Sequence, residues 1–243
     1  MRADLLLVQR GIAASRDRAR VMIESGVVLV DGVAMTRPAR RIAANADITT
    51  TRPDMAWVSR AALKLVGGLD AFPQIDPKNR FCVDIGASTG GFTEVLLTRG
   101  ARHVVAVDVG RDQLHPRLAG DRRVESREGV NARHLVAADF AQPPELIVCD
   151  ASFISLTKVL PAVLEIAAPG AELVALVKPQ FEVGRAAIGK GGIVRNRRAG
   201  EDALARVSDW LVTGAGWQLI GTAPSPIDGH DGNREYLLAG RKG

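Results

Sequence analysis

The feature that most restricts the fold is an alternation of short apolar runs with helix-length segments from residue 81 onward. Apolar runs such as ELIVC and LVALV, separated by helices, predict a mainly parallel sheet covered on both faces. The predicted strands are 81–85, 103–108, 123–126, 145–149, 171–177, 216–223 and 235–240, and the predicted helices lie near 60–71, 91–99, 156–167 and 199–213. The last two strands are joined by a loop rich in Pro and Gly, which is compatible with an antiparallel strand.

The turn after the first of these strands, DIGASTGGF at 84–92, fits two kinds of enzyme. Its central residues match G-x-S-x-G, the turn that presents a hydrolase serine, here Ser88, between a strand and a helix. A hydrolase also needs an oxyanion-hole loop upstream, yet no strand-and-loop unit of the predicted sheet precedes this turn. Among the four histidines, His230 comes late enough to complete a triad. The hydrolase interpretation stays open at this point.

A glycine-rich turn that holds a nucleoside cofactor explains more of the same residues. Asp84 ends the first strand, and Gly86 and Gly90 let backbone amides approach a ligand. Asp108 ends the second strand, where an acid in dinucleotide folds accepts hydrogen bonds from ribose hydroxyls. Ser88 replaces the second glycine of G-x-G-x-x-G, which disfavours a pyrophosphate and so weakens the alternative of an NAD-dependent dehydrogenase.

The loop resembles the form D-x-G-x-x-x-G-G-F that occurs in many enzymes using S-adenosylmethionine, a smaller nucleoside. We therefore predict S-adenosylmethionine as the cofactor. The predicted cofactor-binding residues are Asp84, Gly86, Ser88, Gly90, Phe92, Asp108 and, after the third strand, Asn131.

Four charged residues stand where apolar ones would be expected. Lys64 lies on a helix with apolar neighbours, and Glu235 opens the last strand. Asp150 and Lys178 end two strands whose carboxyl edges line the crevice in which open α/β sheets bind ligands. Each position alone is compatible with a solvated helix face or a strand end, but the two strand-end residues favour a place in the ligand crevice.

The first 52 residues form a separate, basic module. They carry nine arginines and five acidic residues, a net charge of +4, whereas the whole chain has +5. The segment SRDRARVMIESGVVLVDG reads as a helix closed by Gly26, then a strand and an Asp31-Gly32 hairpin turn. It resembles the S4 RNA-binding domain, with its basic helix followed by I-x-x-G-x-V-x-V-[ND]-G. That resemblance makes three arginines candidates for RNA binding, namely Arg16, Arg18 and Arg20.

The segments VSRAALKL, CDASFISL, LVKPQFEVG and NREYLL resemble those that carry the Lys-Asp-Lys-Glu set of FtsJ-like ribose 2′-O-methyltransferases. With the S4-like module, nearly the whole chain resembles the TlyA (hemolysin A) family of ribosomal RNA methyltransferases. The resemblance implies a small N-terminal α+β domain at 1–52, a linker at 53–59 and a Rossmann-like α/β methyltransferase domain at 60–243. It also implies that Lys64, Asp150, Lys178 and Glu235 are catalytic, and that a ribose of ribosomal RNA, that of cytidine, is methylated.

On this hypothesis a ribose 2′-hydroxyl attacks the cofactor's methyl group in line, and Lys178 is the candidate base. Burial and the nearby Lys64 would favour its neutral form, whereas Asp150 would orient it and oppose that change. Glu235 and Lys64 would position the ribose. The glycine-rich basic segment EVGRAAIGKGGIVRN adds Arg185, Lys190 and Arg195, which we expect to approach RNA.

The predicted partners are ribosomal RNA and ribosomal subunits, without a metal or a membrane. Two isolated cysteines and the lack of a long apolar run predict a cytoplasmic protein. A membrane-active haemolysin is disfavoured because only 4% of residues are aromatic and no amphipathic segment rich in Lys and aromatic residues is present. S4 modules also accompany pseudouridine synthases, but those lack this loop. The remaining alternative is a non-catalytic RNA-binding protein with a vestigial cofactor fold.

Overall fold

The computed structural model describes residues 1–13, 15–51, 57–184, 188–229 and 231–243. The side chains of Asp17, Arg18 and Lys190 also lie outside the description. The chain divides into two compact units, Met1–Ala62 and Leu63–Gly243. Most of the predicted linker falls on residues outside the described ranges, so its boundaries stay a prediction.

The first unit combines two helices with a small antiparallel sheet, an α+β arrangement. Its elements are α1 (Ala3–Gln9), α2 (Arg16–Glu24), β1 (Val28–Val30), β2 (Val33–Ala34) and β3 (Ile48–Thr50). β1 lies between β2 and β3 and pairs with both. Asp31 and Gly32 have φ angles of 52° and 78°, which confirms the predicted hairpin turn with two positive φ values.

From residue 61 onward helices alternate with strands. The strands are β4 (Phe81–Ile85), β5 (His103–Asp108), β6 (Val124–Glu128), β7 (Leu146–Cys149), β8 (Glu172–Val177), β9 (Trp217–Pro224) and β10 (Tyr236–Lys242). The helices are α3 (Ala61–Ala71), α4 (Gly91–Thr98), α5 (Pro116–Ala119), α6 (Leu156–Val159), α7 (Pro161–Ile166), α8 (Pro179–Glu182) and α9 (Arg197–Thr213). Short 3-10 helices occur at Ala132–His134, Ala137–Asp139 and Lys190–Gly192.

In the part of the chain that the structure describes, seven strands form one sheet in the order β6-β5-β4-β7-β8-β10-β9. The first five of these are parallel neighbours, and β10 is antiparallel to both β8 and β9. The Rossmann-like α/β fold is therefore confirmed, and its antiparallel strand β10 lies between β8 and the edge strand β9. The chain leaves β4 in one direction for β5 and β6 and returns to its other side at β7. Ligands of open sheets bind at such a switch point.

Helices cover both faces of this sheet. Leu238 and Ala175 belong to a core that includes residues of α7 and α9. Their strand neighbours Leu237 and Val174 lie instead against Gly68 of α3, where an added Cβ would be 3.2 Å from each side chain. Because successive side chains on a strand point to opposite faces, the helices must lie on opposite sides.

The prediction of one continuous helix near 156–167 is wrong. The segment predicted near 156–167 divides into α6 and α7, since Pro161 begins the second helix at its first turn. Proline has no backbone N–H to continue the hydrogen-bond ladder of α6, but it is well tolerated as a first helical residue.

Candidate active site

A pocket of about 370 Å3 opens at the carboxyl ends of β4, β5 and β7. Its lining residues include Gly86, Ser88, Asp108, Asn131, Asp150 and Ser152. Four of the predicted cofactor-binding residues thus reach one pocket, and Asp150 joins them there. The position agrees with the switch point of the sheet.

Gly86 brings the turn after β4 against the chain that leaves β7. Its φ is +80°, and an added Cβ would lie 3.0 Å from the backbone N and Cα of Ala151. Side chains do not tolerate so close an approach to backbone, so this position requires glycine. The next part of the turn is fixed by Asp108, whose Oδ2 accepts a hydrogen bond from the backbone N–H of Ser88 at 2.8 Å. The other carboxylate oxygen of Asp108 accepts from the N–H of Gly110 at 2.7 Å.

Asp84, Gly90 and Phe92 do not line this pocket, although they were predicted to surround the cofactor. Phe92 is 2% exposed and packs in the core of the domain, as a helix-start aromatic often does. Gly90 precedes α4 with a φ of 95° and is buried against Leu114 and Leu118. Gly90 and Phe92 are therefore buried away from the pocket lining, and contact of Asp84, Gly90 or Phe92 with a cofactor stays a prediction.

Asp84 is a buried acid with one unsatisfied oxygen. Its side chain is fully buried, and Oδ2 accepts a hydrogen bond from the hydroxyl of Thr93 at 2.7 Å. Oδ1 has no hydrogen-bond partner among the described residues. Burial raises the pKa of Asp84 to about 7, and the negative charges of Asp150 and Asp108 add to that shift. Three carboxyl groups thus lie close enough to interact at the ends of neighbouring strands.

Asn131, the predicted adenine contact, lies at the pocket but also has a local role. Its side-chain oxygen accepts a hydrogen bond from the backbone N–H of Arg133 at 3.1 Å and begins a 3-10 helix. The side chain is exposed, so its amide group remains accessible from the pocket.

The four predicted catalytic residues form one continuous chain of ion pairs. Lys64 Nζ lies 2.6 Å from Glu235 Oε2 and 4.0 Å from Asp150 Oδ2. Lys178 Nζ lies 2.6 Å from Asp150 Oδ1. Two cations therefore alternate with two carboxylates in the order Glu235, Lys64, Asp150, Lys178, which we call the lysine cluster. Its formal charges sum to zero, as burial of ions requires.

Different elements deliver the members of the lysine cluster. Lys64 lies on α3, while Asp150 and Lys178 directly follow β7 and β8. Glu235 directly precedes the antiparallel strand β10, so its side chain reaches the same edge of the sheet. Burial raises the pKa of Glu235, an effect that the positive charge of Lys64 partly opposes.

Ser152 completes the surroundings of Lys178, and sequence reasoning missed it. Lys178 Nζ donates hydrogen bonds to Ser152 Oγ at 2.8 Å and to the backbone oxygen of Asp150 at 3.2 Å. With Asp150 Oδ1, three oxygen atoms surround the ammonium group. Its position two residues after Asp150, on the loop that follows β7, could have identified Ser152 as a site residue.

Phe153 is a second residue that the sequence did not single out. Its side chain is 90% exposed at the pocket, and its φ of 65° is unusual for a residue with a Cβ. Its ring lies 5.2 Å from that of Phe181. Glu182 ties the same loop to α8, since its carboxylate accepts from Ser155 Oγ at 2.6 Å and from Leu156 N–H at 2.8 Å. The loop is thus held from several sides.

The predicted RNA-binding arginines of α2 differ in their surroundings. Arg16 Nε lies 3.0 Å from Oδ2 of the buried Asp4, yet half of its side chain remains exposed. Arg2, which sequence reasoning missed, donates two hydrogen bonds of 2.9 Å to the same carboxylate. We call Arg2, Asp4 and Arg16 the arginine cluster. Arg20 is half-buried, with no partner for its Nε among the described residues, and the side chain of Arg18 lies outside the description.

The basic loop after α8 is described only in part. Arg185 and the side chain of Lys190 lie outside the described residues, as does His230 of the hydrolase alternative. The end of the loop is anchored by Asn233, which is 1% exposed. Its side chain accepts from Val194 N–H at 2.9 Å and donates to the oxygen of Gly192 at 3.0 Å. The exposed Arg195 follows this anchor.

The residues of the pocket fit a nucleoside that carries a positive charge. Asp108 can still accept ribose hydroxyls, because each carboxylate oxygen has more than one lone pair. Asp108 at the pocket and the buried Asp84 beneath it, with the unsatisfied Oδ1 of Asp84, favour a cationic ligand. S-adenosylmethionine has this character, with a sulfonium and an ammonium group. Within the described ranges, no group of three His, Cys, Asp or Glu side chains has the geometry to hold a metal ion.

Over the residues that the structure describes, we find no helix whose length and apolar character would let it cross a membrane.

Comparisons with known proteins agree with this architecture. A family model described as FtsJ-like methyltransferase matches residues 57–242, and one described as S4 domain matches residues 1–48. The chain is 47% identical over 241 residues to the 16S/23S rRNA (cytidine-2′-O)-methyltransferase TlyA of Mycobacterium tuberculosis, covering 98% of this chain and 88% of that protein. It is 39% identical over 238 residues to Hemolysin A of Brachyspira hyodysenteriae, covering 98% of both.

A solved structure from Streptococcus thermophilus, of a protein provisionally named a hemolysin, matches with a TM-score of 0.74 and 39% identity. That match covers 100% of this chain and 88% of the other. The methyltransferase model includes the turn that contains Ser88, so the hydrolase and dehydrogenase interpretations of that turn are wrong. The chain belongs to the FtsJ-like methyltransferases, and within them to the S4-containing family of the TlyA and hemolysin A proteins.

Proposed function

We propose that this chain transfers the methyl group of S-adenosylmethionine to the 2′-hydroxyl of a ribose, that of cytidine, in ribosomal RNA. The observation that carries the proposal is the lysine cluster, which is buried except where Asp150 reaches the pocket. The name of the Mycobacterium tuberculosis relative supports the nucleotide and the RNA. The reaction would take place in the cytoplasm, where ribosomes are assembled.

The cofactor supplies a methyl group bound to a positively charged sulfur. Gly86, Ser88, Asp108 and Asn131 would hold its nucleoside part at the ends of β4 and β5. Asp84 would compensate its positive charge from beneath the turn. These contacts need no movement of the sheet, because the strand ends already form the pocket.

The lysine cluster would orient the ribose and take its proton. Lys178 accepts the proton of the 2′-hydroxyl as the ribose oxygen forms its bond to the methyl carbon. Asp150, which lines the pocket, holds the buried Lys178 beside it through the 2.6 Å ion pair. Lys64 and Glu235 extend the same chain and contact the sugar from the side of β10. Positioning of this kind supplies much of the rate gain when the reacting atoms are aligned.

The S4 unit would bind structured RNA, and Arg2 and Arg16 are its described candidates. Their exposed guanidinium groups can contact phosphates, which set affinity rather than sequence choice. Phe153, exposed beside the pocket, offers an aromatic face for the target base.

The test is transfer of a labelled methyl group from S-adenosylmethionine to purified small and large ribosomal subunits that lack the modification. We expect label in RNA with the wild type, loss with Lys178→Ala, and retention with Lys158→Ala, an exposed lysine of α6. The modified nucleotide is then mapped by its resistance to alkaline cleavage. Cofactor binding without transfer to either subunit would contradict the proposal and favour a non-catalytic RNA-binding protein.

A further inference from the structure

Lys178 is surrounded as a protonated amine would be. Its Nζ lies 2.6 Å from Asp150 Oδ1, 2.8 Å from Ser152 Oγ and 3.2 Å from the backbone oxygen of Asp150. An ammonium group carries three N–H donors and no acceptor; here it donates to Ser152 Oγ and to the backbone oxygen of Asp150, while the Asp150 carboxylate supplies a close counter-charge. A lysine in this state has no lone pair for a ribose proton, and it must lose a proton before it acts as a base.

The three oxygen atoms differ in what they can do with that proton. The backbone oxygen of Asp150 accepts a hydrogen bond but cannot pass a proton on. The carboxylate of Asp150 serves as counter-ion to two lysines, since Lys64 Nζ is 4.0 Å from its other oxygen. The hydroxyl of Ser152 both accepts and donates, and Ser152 is exposed at the pocket while Lys178 is only 7% exposed. Ser152 therefore joins the buried amine to water.

We propose that Ser152 is the proton outlet of Lys178, an inference that rests on the proposed methyl transfer. Nζ gives a proton to Ser152 Oγ while Ser152 gives its own hydroxyl proton to water, which leaves Lys178 neutral. The ribose oxygen then bonds to the methyl carbon, the carbon–sulfur electron pair stays on sulfur, and the 2′ proton moves to Nζ. Each turnover thus releases one proton, through Ser152. The serine acts through Lys178 and is a positioning and relay residue.

Other charged and titratable groups also face Lys178. Asp150 contacts it directly, Glu235 and Cys149 interact with its charge, and Lys64 approaches Asp150 from the opposite side. Burial raises the pKa of Cys149 to about 12, so this thiol carries no charge near neutral pH. None of these groups is exposed as Ser152 is, so the serine is the accessible end of the cluster.

The experiment compares Ser152→Ala and Ser152→Thr with the wild type and with Ser126→Ala, an exposed serine of β6 that is outside the pocket lining. Single-turnover methyl transfer is measured across pH, and cofactor affinity is measured by calorimetry. In protein labelled with 15N-lysine, NMR reports how fast the Nζ hydrogens of Lys178 exchange with water. The Lys178 signal is assigned by its loss in Lys178→Arg.

We expect Ser152→Ala to slow methyl transfer on the order of 100-fold near neutral pH, within the range for assisted proton transfer. The loss should shrink as pH rises, because hydroxide can replace the serine. Exchange of the Nζ hydrogens should slow in parallel, cofactor affinity should stay unchanged, and Ser152→Thr should retain most of the rate.

Wild-type rate and exchange in Ser152→Ala would overturn the inference. So would an equal loss in Ser152→Thr, which would point to shape, or a loss of cofactor affinity that accounts for the slower rate. If the wild type transfers no methyl group to ribosomal RNA, the proposed function fails by itself. The exchange rate of the Nζ hydrogens still decides whether Ser152 connects Lys178 to water.

Discussion

The arginine cluster of the first unit and the lysine cluster of the second share one arrangement, an aspartate between two cations. Asp4 is fully buried and bound by Arg2 and Arg16, and Asp150 lies between Lys64 and Lys178. The two hydrogen bonds from Arg2, and then the one from Arg16, lower the pKa of Asp4 to about 2. In the lysine cluster, by contrast, burial raises the pKa of the second carboxyl group, that of Glu235.

The difference lies in the cations. Arginine keeps its proton in proteins, so the arginine cluster has a fixed charge and a fixed geometry. Lysine can give up a proton when burial and neighbouring charges favour it, so the same arrangement can take part in proton transfer. The arginine cluster therefore suits a structural role at the protein surface, whereas the lysine cluster suits catalysis.

The strongest test of this difference is to place an arginine in the lysine cluster. Lys178→Arg keeps the positive charge but removes the group that can act as a base. We expect methyl transfer to fall by at least about 100-fold, the usual size of a lost general base. Cofactor affinity, measured by calorimetry, should change little. A variant with near-normal rate would show that Lys178 supplies only charge, and Lys158→Arg serves as the control.

A smaller effect is expected when the arginine cluster loses its anion. Asp4→Asn leaves Arg2 and Arg16 without a counter-ion, and we expect a loss of about 1–2 kcal/mol in the free energy of unfolding of the first unit. The value is modest because both guanidinium groups are partly exposed to solvent. Denaturant unfolding of the full chain measures it, with Asp209→Asn, at an exposed position of α9, as the control. No change in stability would show that the cluster is not structural.

The pH dependence of stability extends the comparison to Asp84, which is fully buried like Asp4. The folded pKa of Asp4 is below its unfolded value of 3.8, so its stabilisation is present above that pH and is lost as pH falls towards 2. The folded pKa of Asp84, about 7, is above 3.8, so its contribution is present below 3.8 and is lost as pH rises towards 7.

Asp84→Asn should therefore gain stability relative to the wild type between about pH 4 and pH 8, by on the order of 1 kcal/mol. Thermal unfolding at both pH values measures the difference, and Asp202→Asn, at an exposed position, is the control. If the stability difference between Asp84→Asn and the wild type is the same at both pH values, the pKa of Asp84 is not raised on folding. The variant should also bind S-adenosylmethionine more weakly.

The smallest expected effect concerns Arg16 as an RNA contact. Arg16→Gln should weaken binding to ribosomal RNA a few-fold and reduce the salt dependence of the affinity by about one unit of slope. The maximal rate of methyl transfer at saturating RNA should not change. Affinity measured over a range of salt concentrations tests this, and an unaltered slope would remove Arg16 from the set of RNA contacts.

The strands were the most predictable part of the fold. β4 and β5 begin and end where the sequence predicts them, because central parallel strands read as continuous apolar runs. The division of α6 from α7 was missed, although Pro161 was visible. The catalytic candidates were found because a charge inside an apolar pattern is costly and therefore informative. Ser152 was missed because a serine on a loop has no such cost.

The sequence by itself determined the family, the alternation of strands and helices, and the identity of the four charged residues. It did so because periodicity and motif spacing are local properties of the chain. Only the tertiary structure decided that Phe92 faces the core, that Asp84 keeps an unpaired oxygen, and that Arg2 and Arg16 share Asp4. It also placed Ser152 on Lys178. Burial and hydrogen-bond partners depend on segments that are distant in sequence, so they arise only when the strands assemble and their ends meet.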